Sequence, residues 1–232
     1  MLPRQQRTRL LALCEPVELA LSQVLCEAGL PTAYVYFPTT GFISLVAQMP
    51  STAGLEVGMV GSEGMLGVQL VLDVPTMPLH ALVQGAGTAW RAPAAAFVKE
   101  LAHSPALQHV LNRYLYVLMA QLATAAPCLR FHMIGPRLAR WLLMSQDRAR
   151  GPKFQVTHEF LGYMLGVRRA GVTVAASGLQ KSGLIEYQRG FVTVLDRAGL
   201  EAAACDCYAS DRASYSRVLS ATKTTPRARA GA

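Results

Sequence analysis

The spacing of apolar positions divides the chain into stretches of different texture. Over about residues 5–29, Leu10, Leu13, Val17 and Leu21 recur at mixed three- and four-residue intervals. That spacing predicts a helix, ended by Gly29 and Pro31. From about 33 to 93 the pattern changes to short β-rich runs (33–37, 41–48, 55–60, 79–84 and 88–91) separated by Gly, Pro, Ser and Thr turns. Runs of that length and spacing predict a small antiparallel barrel or roll.

Ser104-Pro105 marks the next helix start, with a capping hydroxyl followed by proline at the first helical position. Beyond it, Leu111, Leu115, Leu118, Leu122, Ala125 and Leu129 alternate four- and three-residue steps. This heptad seam predicts a dimer interface on a linking helix, the alternative being a helix packed on its own β-roll. Pro127 lies inside the seam and should kink the helix or end it early. Gly135-Pro136 opens a further helix with Leu138, Trp141, Leu142 and Ser145 along one side and Arg137 and Arg140 outside that face.

Residues 157–195 form the most informative pattern. Thr157 is a plausible N-cap for a short helix that buries Phe160, Leu161, Met164 and Leu165, and Gly166 can take the left-handed conformation that ends it. A second helix from Arg168 to about Lys181 buries Val172, Ala175, Ala176 and Leu179, at i, i+3, i+4 and i+7. Its opposite side carries Ala170, Thr173, Ser177 and Lys181, flanked by Arg169 and Gln180. Strands over 184–187 and 191–195, around Gln188-Arg189-Gly190, make a hairpin. Helix, glycine turn, helix and hairpin together read as a winged helix-turn-helix, a shape that fits the major groove of DNA.

On that reading Arg169, with its planar fork of donors, is the candidate guanine reader. Thr173, Ser177 and Gln180 could touch bases or phosphates. Arg168 and Lys181 suit the phosphate backbone, as does Arg189 at the hairpin tip, and Thr157 completes the set. A short helix near 196–207 follows, then a Ser-, Arg- and Ala-rich tail expected to be disordered and basic. The fold class is therefore α+β. Residues 1–103 form an antiparallel β-roll with an N-terminal helix, 104–134 a dimerisation helix, 135–208 a winged helix-turn-helix, and 209–232 the tail.

Composition sharpens this picture at three points. The chain of 232 residues is 52% apolar and 16% charged, enough to bury a sizeable core. Its net charge of +8 is uneven, −1 over residues 1–127 and +9 over 128–232, which fits either a basic solvated surface or a polyanion partner, DNA or RNA, at the back half; together with the winged module it points to double-stranded DNA. No membrane span or signal peptide is evident, so a cytoplasmic protein with no membrane partner is expected. The five cysteines, Cys14, Cys26, Cys128, Cys205 and Cys207, lack the even count and spacing of a disulfide framework. Cys205-x-Cys207 is a close pair, but no second pair or nearby His completes a zinc site, so neither a metal nor a cofactor is expected.

The order of β-roll, long helix and winged module resembles the Crp/Fnr family of bacterial transcription regulators over about residues 10–207. The strongest local match is Gly166-Val-Arg-Arg169-Ala-Gly-Val172, where the family commonly has Gly-x-Ser-Arg-Glu-Thr-Val. The resemblance implies that Arg169 stands for the family's base-contacting arginine, while Ala170 replaces its glutamate and Val174 a second arginine found in many members. It implies a homodimer reading a pseudo-palindrome, RNA polymerase as a further partner, and no enzymatic activity. The segment Val60-Gly-Ser-Glu63-Gly-Met-Leu-Gly67 is similar to the family's turn before the effector pocket. It places Glu63, Gly67, Val68 and His80 as candidate pocket residues.

This chain departs from the cyclic-nucleotide pattern. Gly67-Val68 stands where a Gly-Glu pair holds the ribose, and Pro78-Leu79-His80 where an arginine holds the cyclic phosphate. No Lys or Arg lies between Arg9 and Arg91. A buried phosphate needs a fixed positive partner, so cyclic AMP and cyclic GMP are not expected ligands, and the effector is not identified. Cys14 and Cys26 alone cannot supply four ligands to an iron–sulfur cluster, and His80 is the single histidine before residue 103 available to a haem. Two other functions compete. One is a metal-dependent β-barrel enzyme, for which Glu56, Glu63, Asp73 and His80 offer no His-x-His pair. The other is an effector-binding or protein-interaction module whose winged domain no longer reads DNA.

Overall fold

The computed structural model describes residues 2–48, 54–149 and 151–220. Its N-terminal half is an antiparallel roll of five strands: β1 Glu15–Leu19, β2 Val24–Cys26, β3 Tyr34–Ala47, β4 Leu55–Val60 and β5 His80–Pro93. The order is β1-β5-β3-β4, with β2 also on β5. The runs expected at 33–37 and 41–48 are one long strand that passes through Gly41 at φ 72°, where the register of the β3–β5 ladder shifts. A Cβ at Gly41 would stand 2.2 Å from the Gly85 carbonyl oxygen, so only glycine fits this crossing.

The expected helix over 5–29 is shortened to α1 Arg4–Ala12. Residues beyond it are strands because β5 offers a partner along its whole length: Val17 pairs with Ala89 and Leu19 with Gly87. A weak helical spacing yields where a sheet edge can satisfy the backbone and bury Leu19.

After α2 Ala94–Ala102 comes the long helix α3 Pro105–Phe131. Pro105 holds the first helical position as expected, but the Ser104 hydroxyl does not cap the helix. It bonds the Glu100 carboxylate and accepts from Arg9 Nη2 at 3.1 Å, stapling α1 to the α2–α3 corner. The seam leucines are corrected too. Leu111 and Leu118 are buried in the core of the chain's own roll, together with Leu107, Tyr114 and Phe97, and Leu115 and Leu122 pack against that core. Ala125 is buried as well. Heptad spacing marks a covered face, and here the cover is the roll. The helix also runs one turn past Pro127. Pro127 and Ala123 are both exposed, so the carbonyl that the proline leaves without a donor can turn to water.

The C-terminal half comprises α4 Ile134–Ala149, β6 Lys153–Gln155, α5 His158–Leu165, α6 Arg169–Lys181, β7 Ile185–Gln188, β8 Phe191–Val194, α7 Arg197–Ala203 and α8 Cys207–Leu219. Its sheet has the order β6-β8-β7. Leu138, Leu142, Leu161, Val172, Ile185, Val192 and Leu200 form its core, which Phe42 and Met59 of the roll join. Two expectations change here. Arg137 and Arg140 of α4 are turned inward: Arg137 Nη2 donates to the Leu165 carbonyl, and Arg140 Nη2 meets Asp211 at 2.7 Å. The segment from 209 is helical up to Leu219 and packs on α3, where Asp211 and Tyr208 are buried. Its polar composition reads as a tail because its anchors are an ion pair and an aromatic ring, not an aliphatic stripe. Residues 221–232 of the expected tail lie outside the described residues.

Candidate nucleic-acid interface

Helix α5 is set by its two ends. The Thr157 hydroxyl accepts from the Phe160 amide at 3.1 Å, and Gly166 closes the helix at φ 63°. A Cβ at Gly162 would come within 2.9 Å of the Val167 carbonyl oxygen, so glycine lets the turn fold tightly back on α5. The turn delivers the chain to Arg168, the extended N-cap of α6. From there α6 buries Val172, Ala176 and Leu179 and packs Ala175 against the same core.

The other face of α6 is open. Arg168, Arg169, Ala170, Thr173, Val174, Ser177, Gln180 and Lys181 are all exposed, as are Thr157 at the start of α5 and Arg189 in the hairpin. Two basic groups at the N-terminal end, small residues along the middle and a lysine at the far end form a surface that a duplex can approach closely.

Two of these side chains are already engaged within the protein. Thr173 Oγ1 donates to the Arg169 carbonyl at 3.1 Å and lies 3.0 Å from His158 Nδ1. Gln180 Oε1 accepts the Tyr187 amide at 3.1 Å, fastening the hairpin to α6. Both therefore help to position the surface.

His158 and Val174 gain importance. The His158 ring stacks on Tyr187 with centroids 4.3 Å apart, and the Tyr187 hydroxyl donates to the Val156 carbonyl at 2.6 Å. Burial, and then the nearby Arg169 charge, push the His158 pKa below its ordinary value, which keeps the ring neutral. Val174 is 75% exposed at the centre of the outer face. The 100° helical step already put it there, next to Thr173 and Ser177, and an apolar residue facing solvent on such a face was the available signal.

The hairpin turn is two residues long, since Gln188 pairs with Phe191. Arg189 at φ 50° and Gly190 at φ 80° give it the twist that antiparallel strands favour. At its base, Lys153 Nζ lies 5.0 Å from the centroid of the Phe191 ring, adding a cation that the motif alone did not indicate.

The four candidate effector residues have different immediate partners. Glu63 is paired with Arg148 of α4 at 2.7 Å, and Val68 is buried in the roll core. Gly67 sits tight against Val35, and His80 Nδ1 lies 2.8 Å from Glu27. The cysteines carry a different surprise. Cys205 and Cys207 meet Cys128 in the last turn of α3 and His132 just after it, with all four ligand atoms within 4.8 Å of one another. The expectation that no His stands near Cys205-x-Cys207 is overturned, because chain folding joins segments 77 residues apart.

Residues 136–203 match the family of Crp-like helix-turn-helix domains. No curated protein matches the chain. Among solved structures it is similar to FixK2 of Bradyrhizobium japonicum, with a TM-score of 0.70 and 15% identity over 83% of this chain and 98% of that one. It is also similar to a putative Crp/Fnr-family transcriptional regulator of Eubacterium rectale, with a TM-score of 0.68 and 15% identity over 87% and 94% of the two chains. The c-di-GMP-responsive global regulator CLP of Xanthomonas campestris gives a TM-score of 0.67 and 16% identity over 84% and 100%. The chain thus has the fold of Crp/Fnr transcription regulators and carries a Crp-like helix-turn-helix domain.

Proposed function

We propose that this Crp/Fnr-type chain is a homodimeric, sequence-specific DNA-binding regulator of transcription that works without cyclic AMP. The observation that carries the reading is the two-sidedness of α6. One face is packed into the domain core, and the other presents Arg168, Arg169, Ala170, Thr173, Val174, Ser177 and Lys181 to solvent. Arg169, in the first turn, reads guanine through its paired donors. The Val174 methyls suit a thymine methyl, and Ser177 serves as a small donor. Arg168, Lys181 and Arg189 bind phosphate and set the register. The cytoplasm, with the chromosome, is where such a protein acts, and RNA polymerase is its further partner.

A second copy is needed to read a pseudo-palindrome. The surface that suits it is the outer side of α3, where Asn112, Tyr116, Met119, Ala123 and Ala126 are exposed at steps of four and three. Tyr116 is 54% exposed and Met119 60%. Large side chains at one end and alanines at the other allow two such helices to close together like a coiled coil. Charge supports independence from cyclic nucleotides. Arg91, the nearest basic residue of the roll strands, is bound to Glu15, and Arg148 is bound to Glu63.

The test is fluorescence anisotropy with duplexes selected from genomic DNA by the purified protein. Arg169→Ala is expected to weaken the selected duplex by about tenfold to a hundredfold, with a much smaller effect on random duplex. Equal affinity of wild type and variant for the selected duplex, or no sequence preference in the wild type, would overturn the reading.

A further inference from the structure

We propose that Cys128, His132, Cys205 and Cys207 form a binding site for one tetrahedral Zn2+ ion. The site lies outside the DNA-reading surface and does not depend on it.

The donors come from two places in the fold. Cys128 and His132 are four residues apart, and the His132 amide just past α3 still donates to the Cys128 carbonyl at 3.2 Å, so the end of the helix brings both to one side. Cys205 and Cys207 flank Asp206 at the junction between α7 and α8. The three sulfurs are buried, clustered together and free of disulfides. Their spacing is that of a coordination shell. Metal–sulfur bonds of about 2.3 Å and metal–nitrogen bonds of about 2.0–2.1 Å at tetrahedral angles set S···S near about 3.8 Å and S···N near about 3.5 Å. Cys128 Sγ lies 3.6 Å from Cys205 Sγ, and Cys207 Sγ lies 3.5 Å from His132 Nδ1. A multi-iron cluster needs its thiolates further apart, and a mixed thiolate–imidazole set of four suits zinc.

The surroundings suit the charge of the complex. Zn2+ with three thiolates carries −1, and Arg140 Nη1 points at Cys128 Sγ from 3.8 Å while its Nη2 is held by Asp211. A guanidinium donating to a metal-bound sulfur both neutralises and orients it. Zinc binding would displace the thiol protons to solvent and leave three thiolates and a neutral imidazole on the metal.

The position gives the ion a mechanical role. It joins the end of α3, the start of α8 and, through Arg140, helix α4, across the break at residues 132–133 where the long helix hands over to the DNA-binding half. The backbone amide of Cys205 donates to the Pro136 carbonyl at 3.4 Å, so the metal loop also touches the first turn of α4.

The full chain, purified under reducing conditions, is expected to carry one zinc per chain by elemental mass spectrometry. After zinc removal, titration with Co2+ should give tetrahedral cobalt bands with thiolate-to-cobalt charge transfer. Cys205→Ser and Cys207→Ser should each weaken Co2+ binding by more than the roughly 10–100-fold that an outer-shell partner carries. Cys14→Ser and Cys26→Ser should leave it unchanged. Wild type is the deciding sample, because its folding is checked by circular dichroism before and after zinc removal. Folded wild-type protein that takes up no Co2+ with thiolate character overturns the site, whether its thiols stay free or join as a Cys128–Cys205 disulfide. Equal uptake by the Cys205→Ser variant overturns it as well.

Discussion

Glu63 Oε1 accepts a hydrogen bond from Arg148 Nε at 2.8 Å and pairs with Nη2 of the same guanidinium at 2.7 Å, so a carboxylate of the roll grips a side chain of α4. The Arg148 side chain is only 8% exposed, and its Nη1 donates to the Met144 carbonyl at 2.9 Å. The turn that resembles an effector-binding segment is thus tied to the helix-turn-helix half by charge. Glu63→Gln leaves the guanidinium buried without its counter-charge. A loss of about 2–3 kcal/mol in urea unfolding is expected, below the full cost of breaking a buried pair because Glu63 is partly exposed. Replacing both partners by apolar residues, Glu63→Leu with Arg148→Met, should recover most of it. Additive losses in the double variant would show that the pair is not coupled.

The two sides of α3 should respond differently to mutation. Met119→Glu, on the open side, is expected to convert a dimer to a monomer in light scattering at micromolar concentration while leaving thermal stability of the monomer near wild type. Leu118→Ala, one residue away but in the roll core, should cost about 2–5 kcal/mol of stability and leave the subunit contact in place. A dimer that survives Met119→Glu would move the subunit interface elsewhere.

Gly178 lies on the open side of α6, and a Cβ added there would meet nothing within 4 Å. Gly178→Ala should therefore stabilise the isolated protein by up to about 1 kcal/mol, the helix-propensity difference between the two residues. If α6 lies against a duplex at this point, the same substitution weakens DNA binding. Raised stability with unchanged DNA affinity would turn that part of the helix away from the duplex.

Glu56 should make stability fall as pH rises. Burial pushes its pKa up to about 7, only partly offset by the Ser44 hydroxyl and by the Arg140 and Arg148 charges. The folded state therefore holds a proton that the unfolded chain releases near its ordinary value of about 4.3. The stabilising contribution is full below that value, is lost as pH climbs through about 7, and stays absent above it. Glu56→Gln, neutral throughout, should match wild type near pH 4 and exceed it at pH 8. The expected gain is on the order of 2 kcal/mol, discounted because the residue is only partly buried by surface area. Parallel stability–pH curves for the two proteins would remove Glu56 from this role.

Local chemistry was enough to read the winged helix-turn-helix. Thr157, Gly166, the i, i+3, i+4, i+7 spacing of Val172 to Leu179, and the Arg189-Gly190 turn each specify backbone through their own side chains or lack of them. These residues stand where their pattern predicts. The β-rich texture of residues 33–93 was legible for the same reason, since alternation and turn residues act over a few positions.

Only the tertiary structure decided what each covered face is covered by. Apolar spacing on α3 shows that Leu111 and Leu118 are buried but cannot tell a roll from a second subunit, because both offer the same hydrocarbon. Val17 and Leu19 fit a helix until β5 supplies an edge. Arg137, Arg140 and Asp211 read as surface charges until folding brings them together, and Cys128, His132, Cys205 and Cys207 share no motif along the chain. Burial and partnership across long separations are properties of the packed chain, set by contacts that no local window of residues contains.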